Sequence, residues 1–362
     1  MSTSPFMTHG QSHARRALAA KRRRRRQLMA IGALLIAVLV AGGVMALAHR
    51  SKSSAHVSGR RVAAHSVAKH VLAPSLSAYG LPLAKPALAL AGISTPPANP
   101  VHLTFHSPPR AGLLFNLSTG QVLWQHNAYQ RVPIASLTKM MTALLTVKSA
   151  PADAPVLVTK QAIDTNGSKV GVLPLGKHVR LESMLYGLLL PSGNDAAVAL
   201  AQHVAGSVSA FVKRMNEEAA GLGMGCTRYS SPSGYYDAHN FSCAADLAVL
   251  AHVDLEQPRI AQVTHTYSAV LPFPIKGGKL YLYNNNPLLI YHYPGITGLK
   301  TGYTEAAGRC LVATAERHGV RLGVVILNSN APGTQARQLL DRGFYDVYHL
   351  PRIAEASLPP GA

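Results

Sequence analysis

The sequence predicts an α+β fold: one antiparallel sheet flanked by helices, with an all-α lobe inserted. Three observations carry this expectation. Strand-like apolar runs sit at both ends of residues 109–350, and the middle of that stretch has helical periodicity. The helix expected after Ser136 is apolar on most faces, which marks a buried central helix.

Taken in order, the domain is expected to begin near Pro109. Residues 111–115 and 121–125 read as strands joined by Asn116-Leu117-Ser118-Thr119-Gly120, a turn-forming run. The central helix spans about 136–147. Residues 170–173 and 178–181 are expected to make a short hairpin. Helices follow over 182–190, 195–204, 208–222 and 244–253. Strands return at 262–270, 279–283, 298–301, 309–317 and 320–327, and a last helix covers 334–348. No internal repeat is visible.

The chain has 362 residues and is 48% hydrophobic, enough for one large core. Its net charge of +20 is concentrated at one end. Residues 1–110 hold fifteen Lys or Arg and no acid, whereas the other 252 residues carry twenty bases and fifteen acids. The excess therefore reads as a tail and not as a nucleic-acid surface.

Lys21 and Arg22 to Arg26 form a basic run, and residues 28–48 lack any charge. As a helix those residues would reach roughly 31 Å, the thickness of a bilayer core. The expected organisation is a cytoplasmic basic tail over 1–27, a membrane anchor over 28–48 and a flexible linker over 49–108. A catalytic domain over 109–350 and a short tail over 351–362 follow. The basic run should stay in the cytoplasm and send the rest across the membrane. Ala46-Leu47-Ala48 also resembles a cleavage site, so a signal peptide is the rival reading. Linker residues 83–92 are largely apolar and are candidates for docking on the domain.

Cys226, Cys243 and Cys310 form no Cys-x-x-Cys pair, which argues against zinc or thioredoxin-like chemistry. In an exported protein Cys226 and Cys243 are able to pair, leaving Cys310 as a buried thiol. The seventeen histidines make no metal-binding pattern.

Three motifs carry chemistry: Ser136-Leu137-Thr138-Lys139, Ser192-Gly193-Asn194 and Lys300-Thr301-Gly302. Serine needs a base to act as a nucleophile at neutral pH. Residues i and i+3 share a helix face, so Lys139 can reach Ser136, and burial of its amine favours the neutral form. The helix N-terminus offers free N–H groups to an oxyanion. Ser192 is placed to relay a proton and Asn194 to hold lysine and substrate. Lys300 and Thr301 can bind a carboxylate, and Gly302 lets backbone approach substrate. Each motif alone is weak. A second Ser-x-x-Lys, Ser66-Val67-Ala68-Lys69, lies in the linker with no buried helix expected after it. Their order and placement together point to acyl transfer through a serine ester.

This set matches the motif combination of penicillin-binding proteins and serine β-lactamases. The run from Pro133 to Leu145 closely resembles the D-alanyl-D-alanine carboxypeptidases of the low-molecular-weight penicillin-binding class. So do Ser192-Gly193-Asn194-Asp195-Ala196-Ala197, Met215-Asn216, Lys300-Thr301-Gly302-Tyr303-Thr304 and Cys310 to Arg317. The resemblance spans about 109–349 and implies a β-lactamase/transpeptidase-like fold. It implies Ser136 as nucleophile, Lys139 as general base and Ser192 as proton relay. Asn194, Lys300, Thr301, Gly302 and Tyr303 would bind substrate, with the N–H groups of Ser136 and Tyr303 as oxyanion hole. It further implies peptidoglycan stem peptides as substrate, β-lactams as covalent inhibitors and no metal or cofactor. The domain would sit on the outer face of a bacterial cytoplasmic membrane, in the periplasm.

The chain departs from that pattern in two places. Residues 229–235 lack the Asn-Pro-x-Gly usual in the family, and Cys226 and Cys243 stand where other residues are expected. A cross-link-cleaving DD-endopeptidase and a non-catalytic wall-binding protein are the alternatives. A β-lactamase lacks an evident deacylating glutamate, since Glu182 and Glu217 read as helix residues. Nucleic acid is not an expected partner.

Overall fold

The last strands of the chain pair with the first. The computed structural model describes residues 76–235 and 239–352. Expectations for the basic tail, the anchor at 28–48, linker residues 49–75 and residues 353–362 lie outside the described residues. Within them no single helix is long and apolar enough to cross a membrane.

Strand β1 (Ala111–Asn116) and β2 (Val122–His126) form a hairpin, and a two-residue β3 (Val132–Pro133) leads to a 3₁₀ turn at Ala135–Thr138. Helix α1 (Lys139–Ser149), β4 (Pro155–Leu157), α2 (Lys160–Ile163) and β5 (His178–Arg180) come next. The lobe continues with α3 (Leu181–Leu189), α4 (Asn194–Ala205) and α5 (Val208–Gly221). After β6 (Phe241–Ser242) come α6 (Ala244–Leu255), α7 (Pro258–His265), the β7–β8 hairpin (Ser268–Pro272, Lys279–Tyr283) and α8 (Pro287–Ile290). The chain closes with β9 (Ile296–Thr304), β10 (Gly308–Arg317), β11 (Val320–Ser329), α9 (Pro332–Arg342) and a π-helical turn at Gly343–Val347.

The main sheet has the order β2-β1-β11-β10-β9 and is antiparallel throughout. Alternate residues feed two cores. Leu113, Phe115, Val325 and Leu327 face one side with α1 and α6, whereas Leu114, Val324 and Ile326 face Leu339, Leu340 and Phe344 on the other. Both faces are covered, which is why these strands read as continuous apolar runs. Lys139 through Thr146 of α1 are all buried, as expected of the central helix.

Four expectations are corrected. Residues 262–270 are not one strand: α7 occupies Pro258–His265, and β7 starts at Ser268. Pro258 at the first turn starts the helix, and Ile260, Val263 and Thr264 bury one face at helical spacing. Residues 170–173 make no hairpin strand; β5 pairs with β4 instead. Gly167 and Gly171 there have positive φ, and the stretch is a loop. The last helix starts earlier, at Pro332, and ends at Arg342 before the π-helical turn.

Fourth, residues 76–108 do not behave as a free linker. Leu88 and Val101 are buried, Ala91 bridges to Gln121, and the Val101 N–H donates to the Leu123 carbonyl. These contacts cover β2, one edge of the sheet, and so satisfy backbone groups that an open edge would expose. The opposite edge strand is β9, which carries the third motif.

Candidate active site

The site begins at the turn before α1. Ala135 adopts φ +48°, in the left-handed region that L-residues seldom occupy, and this presents Ser136 at the mouth of a cleft. Lys139 follows one turn later and is 0% exposed. Its Nζ lies 2.9 Å from Ser136 Oγ, 2.7 Å from Asn194 Oδ1 and 3.0 Å from the Ser233 carbonyl oxygen. Burial holds its pKa well below the usual lysine range; Lys300 pushes the same way and Asp195 opposes. A neutral amine has two N–H groups and one lone pair. Asn194 Oδ1 and the Ser233 carbonyl are pure acceptors and take both N–H groups, so the lone pair is left for the Ser136 hydroxyl.

Ser192 also has left-handed backbone, φ +67°, and lines the same cleft. Its Oγ is buried and makes no hydrogen bond. Asn194 opens α4. Its side-chain amide donates to the Asn166 carbonyl at 2.6 Å, and its N–H donates to Ser168 O at 2.7 Å. Asp195 completes this clamp by accepting the N–H groups of Val170 and Gly171 at 2.9 and 3.0 Å. The loop that replaces the expected hairpin is thus tied to the second motif.

Strand β9 forms the facing wall. A Cβ on Gly302 would come 3.0 Å from Ile134 O and 3.1 Å from the Ser136 N, so any larger residue would push the strand and the nucleophile's turn apart by a few tenths of an ångström. Thr301 and Tyr303 line the cleft, and Tyr303 is 64% exposed. Lys300 is 1% exposed, donates from Nζ to the Thr301 carbonyl at 2.9 Å, and has its pKa lowered by burial to about 7. It lies behind the cleft surface.

The cleft has a volume of about 530 Å³. Its lining includes Ser168, Asn285, Tyr291, Arg309, Asn330 and Thr334, none of them singled out by the sequence. Arg309 is the one charged residue of that lining among the described residues. It stands opposite Tyr303 in the β9–β10 register, and its Nη1 donates to the Asn330 carbonyl at 3.2 Å. A lone arginine in a strand has no motif to announce it. Cys310 is buried beneath, its thiol pushed up to about 12 by burial, which makes it a poor nucleophile. Glu182 pairs with Arg259 and Glu217 with Lys213, so both carboxylates are engaged elsewhere.

Of the eight residues expected at the site, Ser136, Ser192, Thr301, Gly302 and Tyr303 line this cleft, while Lys139, Asn194 and Lys300 are buried behind it. Residues 106–331 match the family described as Peptidase_S11: D-alanyl-D-alanine carboxypeptidase. The chain belongs to that family. It is 34% identical over 251 residues to the D-alanyl-D-alanine carboxypeptidase DacF of Bacillus subtilis, covering 67% of this chain and 64% of DacF. It therefore spans slightly under two thirds of that relative's length. It is 35% identical to DacB2 of Mycobacterium tuberculosis over 66% of this chain and 82% of the relative. A D-alanyl-D-alanine endopeptidase of Pseudomonas aeruginosa is 33% identical over 69% of this chain and 86% of its own. Among solved structures, the Streptomyces K15 DD-transpeptidase superposes with a TM-score of 0.63 at 30% identity, covering 67% of this chain and 99% of that one. The sheet flanked by helices is the penicillin-binding fold of these DD-peptidases.

Proposed function

We propose that this Peptidase_S11 protein is a serine-type carboxypeptidase that removes the terminal D-alanine from peptidoglycan pentapeptides. The observation that carries this reading is the buried Lys139 amine, whose Nζ lies 2.9 Å from Ser136 Oγ. Ser136 attacks the carbonyl of the penultimate D-Ala and passes its proton to Lys139. The oxyanion forms between the N–H groups of Ser136 and Tyr303, where losing one donor typically costs about 10²–10³ in rate. Ser192 relays the proton to the leaving D-Ala amine as the C–N bond breaks. Water, deprotonated by Lys139, then hydrolyses the ester and restores Ser136. The open edge of β9 suits an extended peptide laid antiparallel to it. Asn194 orients that peptide, while Thr301, with Lys300 behind it, and Arg309 receive its carboxylate. β-Lactams enter as mimics of the dipeptide and leave a slowly hydrolysed ester.

The protein works outside the cytoplasmic membrane in this reading, held by a helix over 28–48. The cystine joining Cys226 and Cys243 suits such an oxidising compartment. The deciding experiment is D-alanine release from a muramyl pentapeptide by the wild type and by Ser136→Ala. Release by the first and none by the second is expected. Cleavage of cross-linked dimers without release from pentapeptide would favour an endopeptidase, the activity named for the Pseudomonas relative. No reaction with either would leave a wall-binding protein.

A further inference from the structure

Lys139 owes one of its two acceptors to a backbone carbonyl, that of Ser233, in a segment whose residues 229–235 have no regular secondary structure. That segment lies between Cys226 and Cys243, which are joined as a cystine with Cα atoms 5.7 Å apart. At its base, Thr227 and Ser242 share a hydroxyl–hydroxyl bond of 2.7 Å, and Arg228 and Phe241 exchange backbone bonds at 2.9 and 3.0 Å. Asp246 adds to this base by accepting from the Cys226 N–H and the Thr227 hydroxyl, both at 2.7 Å.

Further out, the segment grips the nucleophile helix at three successive places. Asn240 Nδ2 donates to Thr138 Oγ1. The Pro232 carbonyl accepts from Thr142 Oγ1 at 2.7 Å. Gly234, at φ +73°, packs against Ala135 O and Thr138 Oγ1 with no room for a side chain. The Ser233 carbonyl sits among these contacts.

We infer that the Cys226–Cys243 cystine is a positioning device for the catalytic base: by closing the segment it holds the Ser233 carbonyl on Lys139 and keeps water from the amine. This rests on the serine-peptidase reading above. It gives a role to the two cysteines at which the chain departs from the usual family pattern. Opening the cystine needs a dithiol. The reductant delivers two electrons and two protons, two thiols form on the protein, and the reductant leaves as its cyclic disulfide.

The test compares the full chain with its Cys226→Ala/Cys243→Ala variant in acylation by a fluorescent penicillin across pH. The variant is expected to stay folded by circular dichroism and to acylate about ten- to a hundredfold more slowly at pH 7. Its acid limb should move to higher pH, because water admitted beside Lys139 lets the amine hold its proton. Dithiol-treated wild type should match the variant and recover on reoxidation. An unchanged rate and profile overturns the inference, as does a slower rate with an unchanged acid limb, which is the signature of a purely structural cystine. If the variant does not fold, Thr142→Val, which keeps the cystine but cuts the Pro232 contact, should show the same shift. An unmoved limb there also overturns it. A wild type that never acylates would instead defeat the serine-peptidase reading.

Discussion

Lys139 and Asn194 are 55 positions apart, yet Lys139 Nζ donates to Asn194 Oδ1 across 2.7 Å inside the core. The amide oxygen can only accept, so it fixes which way the amine's lone pair points. Asn194 is therefore part of the setting of the base itself.

Lys139 must lose its proton to act, and burial makes it do so well below the usual lysine range. Acylation should rise along a limb in that depressed region and fail in acid. Lys300 discharges at about 7, so ligands with a free carboxylate should show a decline above that pH. A β-lactam ester should show the rising limb alone. Second-order acylation rates across pH measure both.

Arg309 is the one charged side chain in the cleft lining among the described residues. Arg309→Gln should lower kcat/KM for peptides ending in a carboxylate about ten- to a hundredfold, the worth of a charge-assisted hydrogen bond. Peptides ending in an amide should be nearly unaffected. An equal loss on both substrates would show that Arg309 only shapes the cleft.

Asp195 acts on the 164–173 loop. Removing its carboxylate in Asp195→Ala strands the Val170 and Gly171 N–H groups. Val170 is half-buried and Gly171 exposed, so the freed N–H groups turn to water and the loop should detach. Peptide KM should rise on the order of tenfold, from the weaker hold on Asn194. Steady-state kinetics on pentapeptide check this.

Asp254, on α6, is fully buried with neither carboxylate oxygen in a hydrogen bond, and burial raises its pKa well above the usual carboxylate range. The folded protein keeps this proton where the unfolded chain has released it, above about pH 4. Stability is therefore lost as pH rises from there towards the folded-state pKa. Asp254→Asn should raise Tm at pH 7, by about 2–4 °C for each kcal/mol recovered. The gain should vanish near pH 3, about where unfolded aspartate is itself protonated. Thermal melts at the two pH values decide it.

The site was readable where function resides in side chains with fixed spacing. Ser136 and Lys139 share a helix face, and Ser192, Asn194 and Lys300 to Tyr303 stand in recognisable runs. The Ser233 contribution is a carbonyl, which every residue has, so no letter marks it. Arg309 and Thr334 reach the cleft through strand register and a helix start. In the fold, the continuous apolar runs of β1, β10 and β11 were unambiguous. Residues 262–270 were misread because Val263, Thr264 and Val270 favour strands, while Pro258, which starts the helix, lies outside that window. Leu88 and Val101 dock residues 76–108, but two burials thirteen positions apart make no periodic signal.

The pairing of β1 with β11, Ala111 opposite Leu327, ties residues more than 200 positions apart into one sheet. β9, which walls the cleft, is held in that sheet only through β10 and β11. A growing chain that has released the nucleophile and its lysine has only β2 paired with β1, and still lacks β9, β10 and β11, and so the wall of the cleft. Competence should arrive abruptly once β11 has been made, and shortened chains ending before Val320 should be unable to capture penicillin. Such long-range pairing also makes for slow folding with strand edges open in the interim, so synthesis itself is the period when this enzyme is most exposed to aggregation and proteolysis.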